Sequence, residues 1–253
     1  MTSFISNNSI LVGSILDISS TTTTVAPTTT TTGQPASDPY FNSVVSLLHM
    51  DGADNSSVFT DSSNNNLLFT PFGGTQIKTQ QSQSGGASAF FDGNDDYLRA
   101  TITPGLLYYD LDFTIEFFFR RTGVGSGQVH TVFEAGNIQS GLGGLHIYVD
   151  SDGVFSVNNG LVAGIQGGLA PLDTWVHVAL VRFNGTNKLY VDGAYVDQNA
   201  QDFGETVEND IISIGGAPNY GFYANGWIDE FRITQEARYV SAFSIPPVPF
   251  PNQ

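Results

Sequence analysis

Chemistry in this chain has to come from acids, four scattered histidines and a few aromatic loops, because there is no cysteine to act as nucleophile, thiolate ligand or disulfide. Glycan hydrolysis by carboxylates needs two acids converging across one cleft, about 5 to 9.5 Å apart. Glu116 stands alone among Thr114, Phe118 and Arg120, while Asp229 and Glu230 are adjacent. Neighbours on a strand point to opposite faces, so these two are expected to diverge. His49, His130, His146 and His177 form no Ser-His-Asp arrangement, and His146 and His177 alternate with aliphatics as histidines satisfied within a sheet do. The expectation is a protein that is not an enzyme.

Cation and ligand binding remain. In the run from Trp227 to Ile233, alternation places Trp227, Asp229, Phe231 and Ile233 on one face and Ile228, Glu230 and Arg232 on the other. A carboxylate among apolar neighbours needs backbone N–H groups or a metal to compensate it. The stretch from Asp92 to Leu98 either presents acids to a cation or is a turn. Two aromatic clusters, Tyr220, Phe222 and Tyr223 in one loop and Tyr108 and Tyr109 in another, sit beside amides and carboxylates. Such faces suit sugar stacking, and the same pattern arises from rings packed under loops or at a subunit interface.

The elements that position these residues are short strands. Four Asp-Gly pairs (at Asp51, Asp92, Asp152 and Asp192) and three Asn-Gly pairs (at Asn159, Asn184 and Asn225) supply the positive φ of tight turns. Trp175 to Val196 reads as a three-stranded meander and Leu145 to Val157 as a hairpin. In the segment from Phe113 to Arg120, Phe113, Ile115, Phe117 and Phe119 share a side that must be core. No long stretch keeps a helical period, and the best helical candidate is a turn or two at Gln235 to Ala242. The fold class expected is all-β, an antiparallel β-sandwich of jelly-roll type.

The 253 residues, 40% hydrophobic, suffice for one large domain plus an appendage. Charged residues make up 13%, about half the globular average, and the net charge of −16 argues against nucleic-acid partners and polyanionic surfaces. Residues 21–32 contain nine Thr in twelve positions, within an extended Thr/Pro-rich linker assigned to 21–38. Residues 1–20 form an apolar arm with Phe4, Ile5, Ile10, Leu11, Val12, Ile15 and Leu16, too small to make its own core and so expected to dock on a partner, the other reading being an unstructured tail. The run from Ile10 to Leu16 is too short to span a bilayer and lacks a basic flank, so neither a signal peptide nor membrane insertion is expected. The body is assigned to residues 39–253.

Several segments in order resemble the laminin-G-like, concanavalin-A-like jelly-roll family: FDGNDDYL from Phe91, FTIEFFFR from Phe113, WVHVALVR from Trp175, LYVDGAYV from Leu189, ISIGG from Ile212 and GWIDEFRI from Gly226. The opening SLLHMDG from Ser46, FTDSSNNN from Phe59 and the closing ARY, FSIPP and FP segments are similar to virion proteins of tailed bacteriophages, namely tail fibres, capsid fibres and capsid decoration proteins. The resemblance covers about residues 40 to 250. It implies a structural Ca²⁺ held by oxygens of an early loop and of the late-strand Asp, which here correspond to Asp61, Asn64, Asn66 and Asp229. Asn65 stands where the family often has Gly, and Asx-turns are the other reading of the same loop. Glucanases of the family carry acids at alternate positions, E-x-D-x-E, and no such run occurs at Glu116 or Asp229.

The resemblance implies a structural and interaction protein of a virion, fastened through its arm and displaying a lectin-like sandwich outside the particle. It would be a homo-oligomer, a trimer by analogy, with host-surface glycans as possible ligands. A secreted carbohydrate-binding adhesin module is the alternative, and a glycan hydrolase or lyase the third reading.

Overall fold

The computed structural model describes residues 37–103, 106–123, 125, 129–136, 144–159, 164–200 and 211–253. The chain divides into two units, Met1–Gln34 and Pro35–Gln253. The whole apolar arm, with its Phe4, Ile5, Ile10, Leu11, Val12, Ile15 and Leu16, and all of the Thr tract lie outside the described residues. Asp38, assigned from sequence to the linker, belongs to the body. Its carboxylate pairs with Arg232 and Arg238, and its N–H donates to the Gln253 carbonyl at 2.7 Å.

Among the described residues the strands, in chain order, are β1 (Val44–Leu48), β2 (Thr70–Phe72), β3 (Gln76–Lys78), β4 (Ser88–Asp92), β5 (Tyr97–Thr101) and β6 (Phe113–Arg121). There follow β7 (His130–Ala135), β8 (Leu145–Val149), β9 (Val154–Asn158), β10 (Ile165–Leu169), β11 (Trp175–Phe183) and β12 (Thr186–Val191). The last are β13 (Ala194–Asn199), β14 (Ile211–Ile214), β15 (Gly216–Ala217), β16 (Phe222–Tyr223) and β17 (Asn225–Thr234). The one helical element is a three-residue 3₁₀ turn, Phe41–Ser43, among the described residues.

These strands form two antiparallel sheets and a small hairpin of β15 and β16. The eight-stranded sheet runs β13-β12-β11-β6-β17-β4-β3, with β1 also paired to β17, and the seven-stranded sheet runs β10-β9-β8-β7-β14-β5-β2. Neighbours distant in sequence, such as β6 beside β11 and β17, give the crossed connectivity expected of a jelly roll. The meander β11-β12-β13 forms as the sequence predicts. Its two-residue turns place Asn184 and Gly185 at φ 47° and 75°, and Asp192 and Gly193 at 49° and 74°. Those are the left-handed values a type I′ hairpin turn demands.

The core lies between the two sheets. Phe113, Ile115, Phe117 and Phe119 face inward from β6, as their alternation requires, and meet Phe133 and Phe155 of the opposite sheet. Phe133 stacks on Phe231 at 5.8 Å and Phe119 meets Phe155 edge-on at 6.5 Å. Each such buried ring contributes about 1.5–3 kcal/mol. The helical turn expected at 235–242 does not form. The segment's polar groups bond across to the sheet instead, with the Arg238 N–H donating to the Thr114 hydroxyl and that hydroxyl to the Glu236 carbonyl. Ala237, Tyr239 and Phe243 pack on Ala179, Val181 and Tyr190.

Candidate functional site

The segment that follows β17 packs on the outer face of the eight-stranded sheet. Phe118 on that face packs with Val44, Leu47 and Phe250, and Trp175 and Val248 lie against them. Glu116, read from sequence as a solitary acid, is instead the hub of a buried ionic network. Its Oε1 accepts from Arg232 Nε at 2.9 Å and Nη2 at 2.7 Å, and its Oε2 from the Tyr239 hydroxyl at 2.8 Å, with His177 Nε2 at 3.3 Å. Asp38 bridges Arg232 and Arg238. Burial works to raise the Glu116 carboxyl, but the Arg232 charge and then the His177 hydrogen bond hold it far below the usual carboxylate range. His177 therefore belongs to a structural clasp.

The alternation read from Trp227 to Ile233 breaks at a bulge. Asp229 pairs with Phe118 and Arg232 with Glu116, so two residues of β17 oppose one of β6, and Glu230 takes φ 50°. Ile228, Phe231 and Ile233 consequently face the core. Asp229 does not sit among the core residues expected from sequence, and Asp229 and Glu230 do not diverge. Both lie on the outer side. Asp229 Oδ2 accepts the N–H groups of Gln83 and Ser84 at 2.7 and 3.1 Å, and Glu230 pairs with His49 at 3.0 Å. Burial, with the neighbouring Glu230 and Asp51 charges, pushes Asp229 up to about 7.

The outer face of the seven-stranded sheet has a different character. Cross-strand register aligns Thr70, Arg99, Ser213, Glu134, His146 and Asn158 in one row across β2, β5, β14, β7, β8 and β9. A second row runs Thr131, Tyr148, Ser156 and Gln166. Their flanking residues, Leu98, Ala100, Ile212, Ile214, Leu145, Ile147 and Val157, are core, which sets the rows on the outside. His146 stacks on Tyr148 at 4.7 Å and its Nε2 meets the Thr131 hydroxyl at 2.9 Å. A hollow of about 110 Å³ is lined by Tyr148, Ser156, Asn158 and Gln166.

At the other end of the row the Arg99 guanidinium lies over the rings of Phe72 and Tyr97, at 5.6 and 5.1 Å, and those rings stack at 4.5 Å. Tyr97 also faces Tyr223 at 6.3 Å, and Tyr220 stacks on Phe222 at 5.9 Å. Arg99 Nε, Glu134 Oε1 and the Tyr220 hydroxyl are buried without a hydrogen-bond partner. A buried polar atom left so costs about 1–3 kcal/mol, a cost that is relieved where a ligand or water supplies the partner. Burial pushes Glu134 up to about 7 against the pull of Arg99, and burial pushes His146 down to about 4. Among the described residues the two rows hold one carboxylate, Glu134, so they lack the pair that glycoside hydrolysis requires.

The residues expected to hold Ca²⁺ do not form one donor set. Asp61 Oδ1 accepts the N–H groups of Leu47 and Ser63, and its Oδ2 accepts the Leu67 N–H and the Ser63 hydroxyl. All its lone pairs are engaged in closing its own loop. Asn64 and Asn66 are exposed, and the Asn66 amide donates to the Asn64 carbonyl. Asp229 is bound by a different loop. As folded, these four residues do not fit a shared cation, and the Asx-turn reading of the loop applies.

Of the aromatic candidates, Tyr109 is buried and edge-on to Phe113 at 5.8 Å, so it is a core side chain, while Tyr108 is exposed. Tyr220, Phe222 and Tyr223 come together in the β15–β16 hairpin, which packs against β7 and β5. Asp92, Asp95 and Asp96 bring their carboxylates within 4.8 Å of one another. Asp96 is buried and accepts the N–H groups of Gly74 and Asp92, so it organises the turn. Arg99, Ser213, Glu134, His146 and Asn158 were missed from sequence. The available signal was a polar residue set between apolar neighbours at Arg99, Ser213, Glu134 and His146, while Asn158 ends its strand.

Residues 92–241 match the model of the concanavalin A-like lectin/glucanases superfamily, of laminin-G type, and the chain belongs to that family. No curated protein matches the chain significantly in sequence. Similar solved structures include the receptor-binding domain of botulinum neurotoxin mosaic serotype C/D, with TM-score 0.58, 15% identity and coverage of 79% of this chain and 49% of that one. Another is from botulinum neurotoxin type C, whose cell entry depends on interaction with two ganglioside molecules (TM-score 0.57, 14% identity, 79% and 49% coverage). A third is the binding domain of serotype D, with TM-score 0.57, 14% identity and 79% and 49% coverage. The chain spans about half the length of these proteins, and at such identity the likeness concerns the fold. The protein is a lectin-like β-sandwich domain.

Proposed function

We propose that this protein is a structural component of a bacteriophage virion whose sandwich binds host-surface glycans through the outer face of the seven-stranded sheet. The observation that carries the binding reading is the hollow of about 110 Å³ on that face, lined by Tyr148, Ser156, Asn158 and Gln166, where the polar rows reach the surface, whereas Thr131, Ser213, Glu134 and His146 are buried. Sugars are bound by aromatic faces together with amide and hydroxyl groups in fixed positions, and Tyr148, Asn158, Gln166 and Ser156 supply these. The superfamily and the ganglioside dependence described for one structural neighbour support the same ligand class.

The virion reading rests on the sequence resemblance, the apolar arm and the Thr tract. The arm fastens the protein to other virion proteins, and several copies compensate weak single contacts by avidity. The protein would then stand on the virion surface. Two measurements test this. Full-length protein on a glycan array is expected to bind a subset of glycans, and deletion of residues 1–20 is expected to abolish incorporation into particles while leaving that binding intact. Glycan binding without any particle association would favour the adhesin reading, and no glycan binding at all would refute the role of the face.

A further inference from the structure

We propose that the hollow lined by Tyr148, Ser156, Asn158 and Gln166 receives the acetamido group of a neutral N-acetylhexosamine. This rests on the glycan-binding reading of the face and names the substituent its ligand must carry. Ser156 pairs with Tyr148 on one side and Gln166 on the other, so a short side chain forms a floor between two long ones, each about 4.8 Å away. Asn158 lies two residues further along the same strand, on the same face. Val157 and Ile165, which also border the hollow, turn their side chains into the core, and Gly164 has none to fill it. The volume of about 110 Å³ is well below the roughly 300–1,000 Å³ that encloses a drug-sized ligand, so the hollow admits one substituent and leaves the sugar ring outside.

The floor of the hollow is an unsatisfied hydroxyl. Ser156 is 5% exposed and makes no hydrogen bond among the described residues. Its oxygen stays within reach of the hollow, whereas the unpartnered Arg99, Glu134 and Tyr220 atoms are sealed. A hydroxyl so enclosed needs a partner, and a ligand group in the hollow supplies it. The Tyr148 hydroxyl accepts from the Asn158 amide at 3.4 Å, which leaves its proton to donate. Gln166 directs its amide Nε2 to Asp150 Oδ2 at 3.4 Å, which leaves Oε1 as an acceptor. An acetamido group matches this set: its carbonyl accepts from Ser156 and Tyr148, its N–H donates to Gln166 Oε1, and its methyl lies on the Tyr148 ring. A sugar hydroxyl satisfies fewer of these groups and leaves the ring face bare. No Lys, Arg or His lines the hollow, Asp150 stands beside Gln166, and the chain carries a net charge of −16, so an anionic substituent finds no counter-charge there.

The test is calorimetric titration of the full chain with methyl β-N-acetylglucosaminide and methyl β-N-acetylgalactosaminide. Methyl β-glucoside and methyl β-galactoside are the hydroxyl counterparts, and N-acetylneuraminic acid, which carries an acetamido group beside a carboxylate, is the anionic comparator. At least one N-acetylhexosaminide is expected to bind about tenfold to hundredfold more tightly than its hydroxyl counterpart, the worth of two hydrogen bonds. Ser156→Ala and Gln166→Ala are each expected to weaken it about threefold to tenfold, the worth of one. Ser156→Ala deletes only an unpartnered oxygen, so its melting temperature is expected to match that of the wild type. Equal binding of acetylated and hydroxyl sugars overturns the acetamido assignment, as does tighter binding of N-acetylneuraminic acid than of every neutral sugar. Unchanged affinity in both variants overturns the hollow as the place of binding. Absence of binding to all of these sugars overturns the assignment alone if the glycan array still shows binding, and overturns both readings if it does not.

Discussion

Replacing Glu116 by Gln tests the clasp that closes the eight-stranded sheet. The side chain keeps its shape but loses the charge that faces Arg232 and, at 3.6 Å, Arg238. Arg232 and Arg238 are 3% and 6% exposed, so water cannot replace the lost partner, and Asp38 alone is left to balance both guanidinium groups. Breaking a buried ionic network from one side costs about 3–5 kcal/mol. For a body of this size each kcal/mol lowers the melting temperature by about 2–4 °C, so a fall of roughly 6–20 °C is expected. The Arg232 guanidinium also rests 4.0 Å over the Phe250 ring, so the tail should loosen, and tryptic cleavage after Arg238 should become faster. A carboxyl held far below its ordinary value contributes stability above about pH 4, lost only as pH falls through the depressed value. The gap between variant and wild type should therefore stay constant from pH 5 to pH 8. Calorimetric melting across that range reads it, and a shift under about 2 °C would refute the account. Glycan binding by the opposite sheet should be unaffected in the folded variant.

Three further outcomes follow from the other buried acids. Glu134 is pushed up to about 7 in the folded protein, so the folded state holds its proton more tightly than the unfolded chain does, and stability is lost as pH rises from about 4.5 to 7. Glu134→Gln should flatten that slope and melt higher than wild type at pH 8, by up to about 3 kcal/mol in stability; an unchanged pH profile would contradict the burial argument. Asp61→Ala orphans the N–H groups of Leu47, Ser63 and Leu67 and should cost about 3 kcal/mol or more in denaturant unfolding. Because Asp61 is already fully hydrogen-bonded, EDTA and added Ca²⁺ should leave the wild-type melting temperature unchanged, and a rise of several degrees with Ca²⁺ would restore the cation reading.

Much of the scaffold was legible because its signals are local. The meander from Trp175 to Val196 is written as alternation interrupted by Asn184-Gly185 and Asp192-Gly193, and the inward side of β6 follows from four apolar residues at period two. The errors fall where a local rule is overridden. Strict alternation misassigned Asp229 and Ile228 because a bulge inserts one residue, and position 230 is a Glu, with no glycine to announce its positive φ. The turn at 235–242 was misread as helical because its partners, Thr114 and Tyr190, are distant in sequence. Tyr109 and Tyr108 look alike in sequence, yet only the first is enclosed.

The sequence by itself determined an all-β body of short antiparallel strands, an inward face for most of them, and a chemistry without thiols and with an excess of acids. Period and turn type depend on residues a few positions apart, so they can be read in order along the chain. The tertiary structure alone decided which polar residues meet. Arg99, Ser213 and Glu134 are distant in the chain and become neighbours only when β5, β14 and β7 pair in one register. Glu116 likewise gains its guanidinium partners only because β17 lies beside β6 and the tail folds back over both. The local period fixes which side of a strand is buried, but which distant strand lies beside it is decided only when the whole sheet assembles.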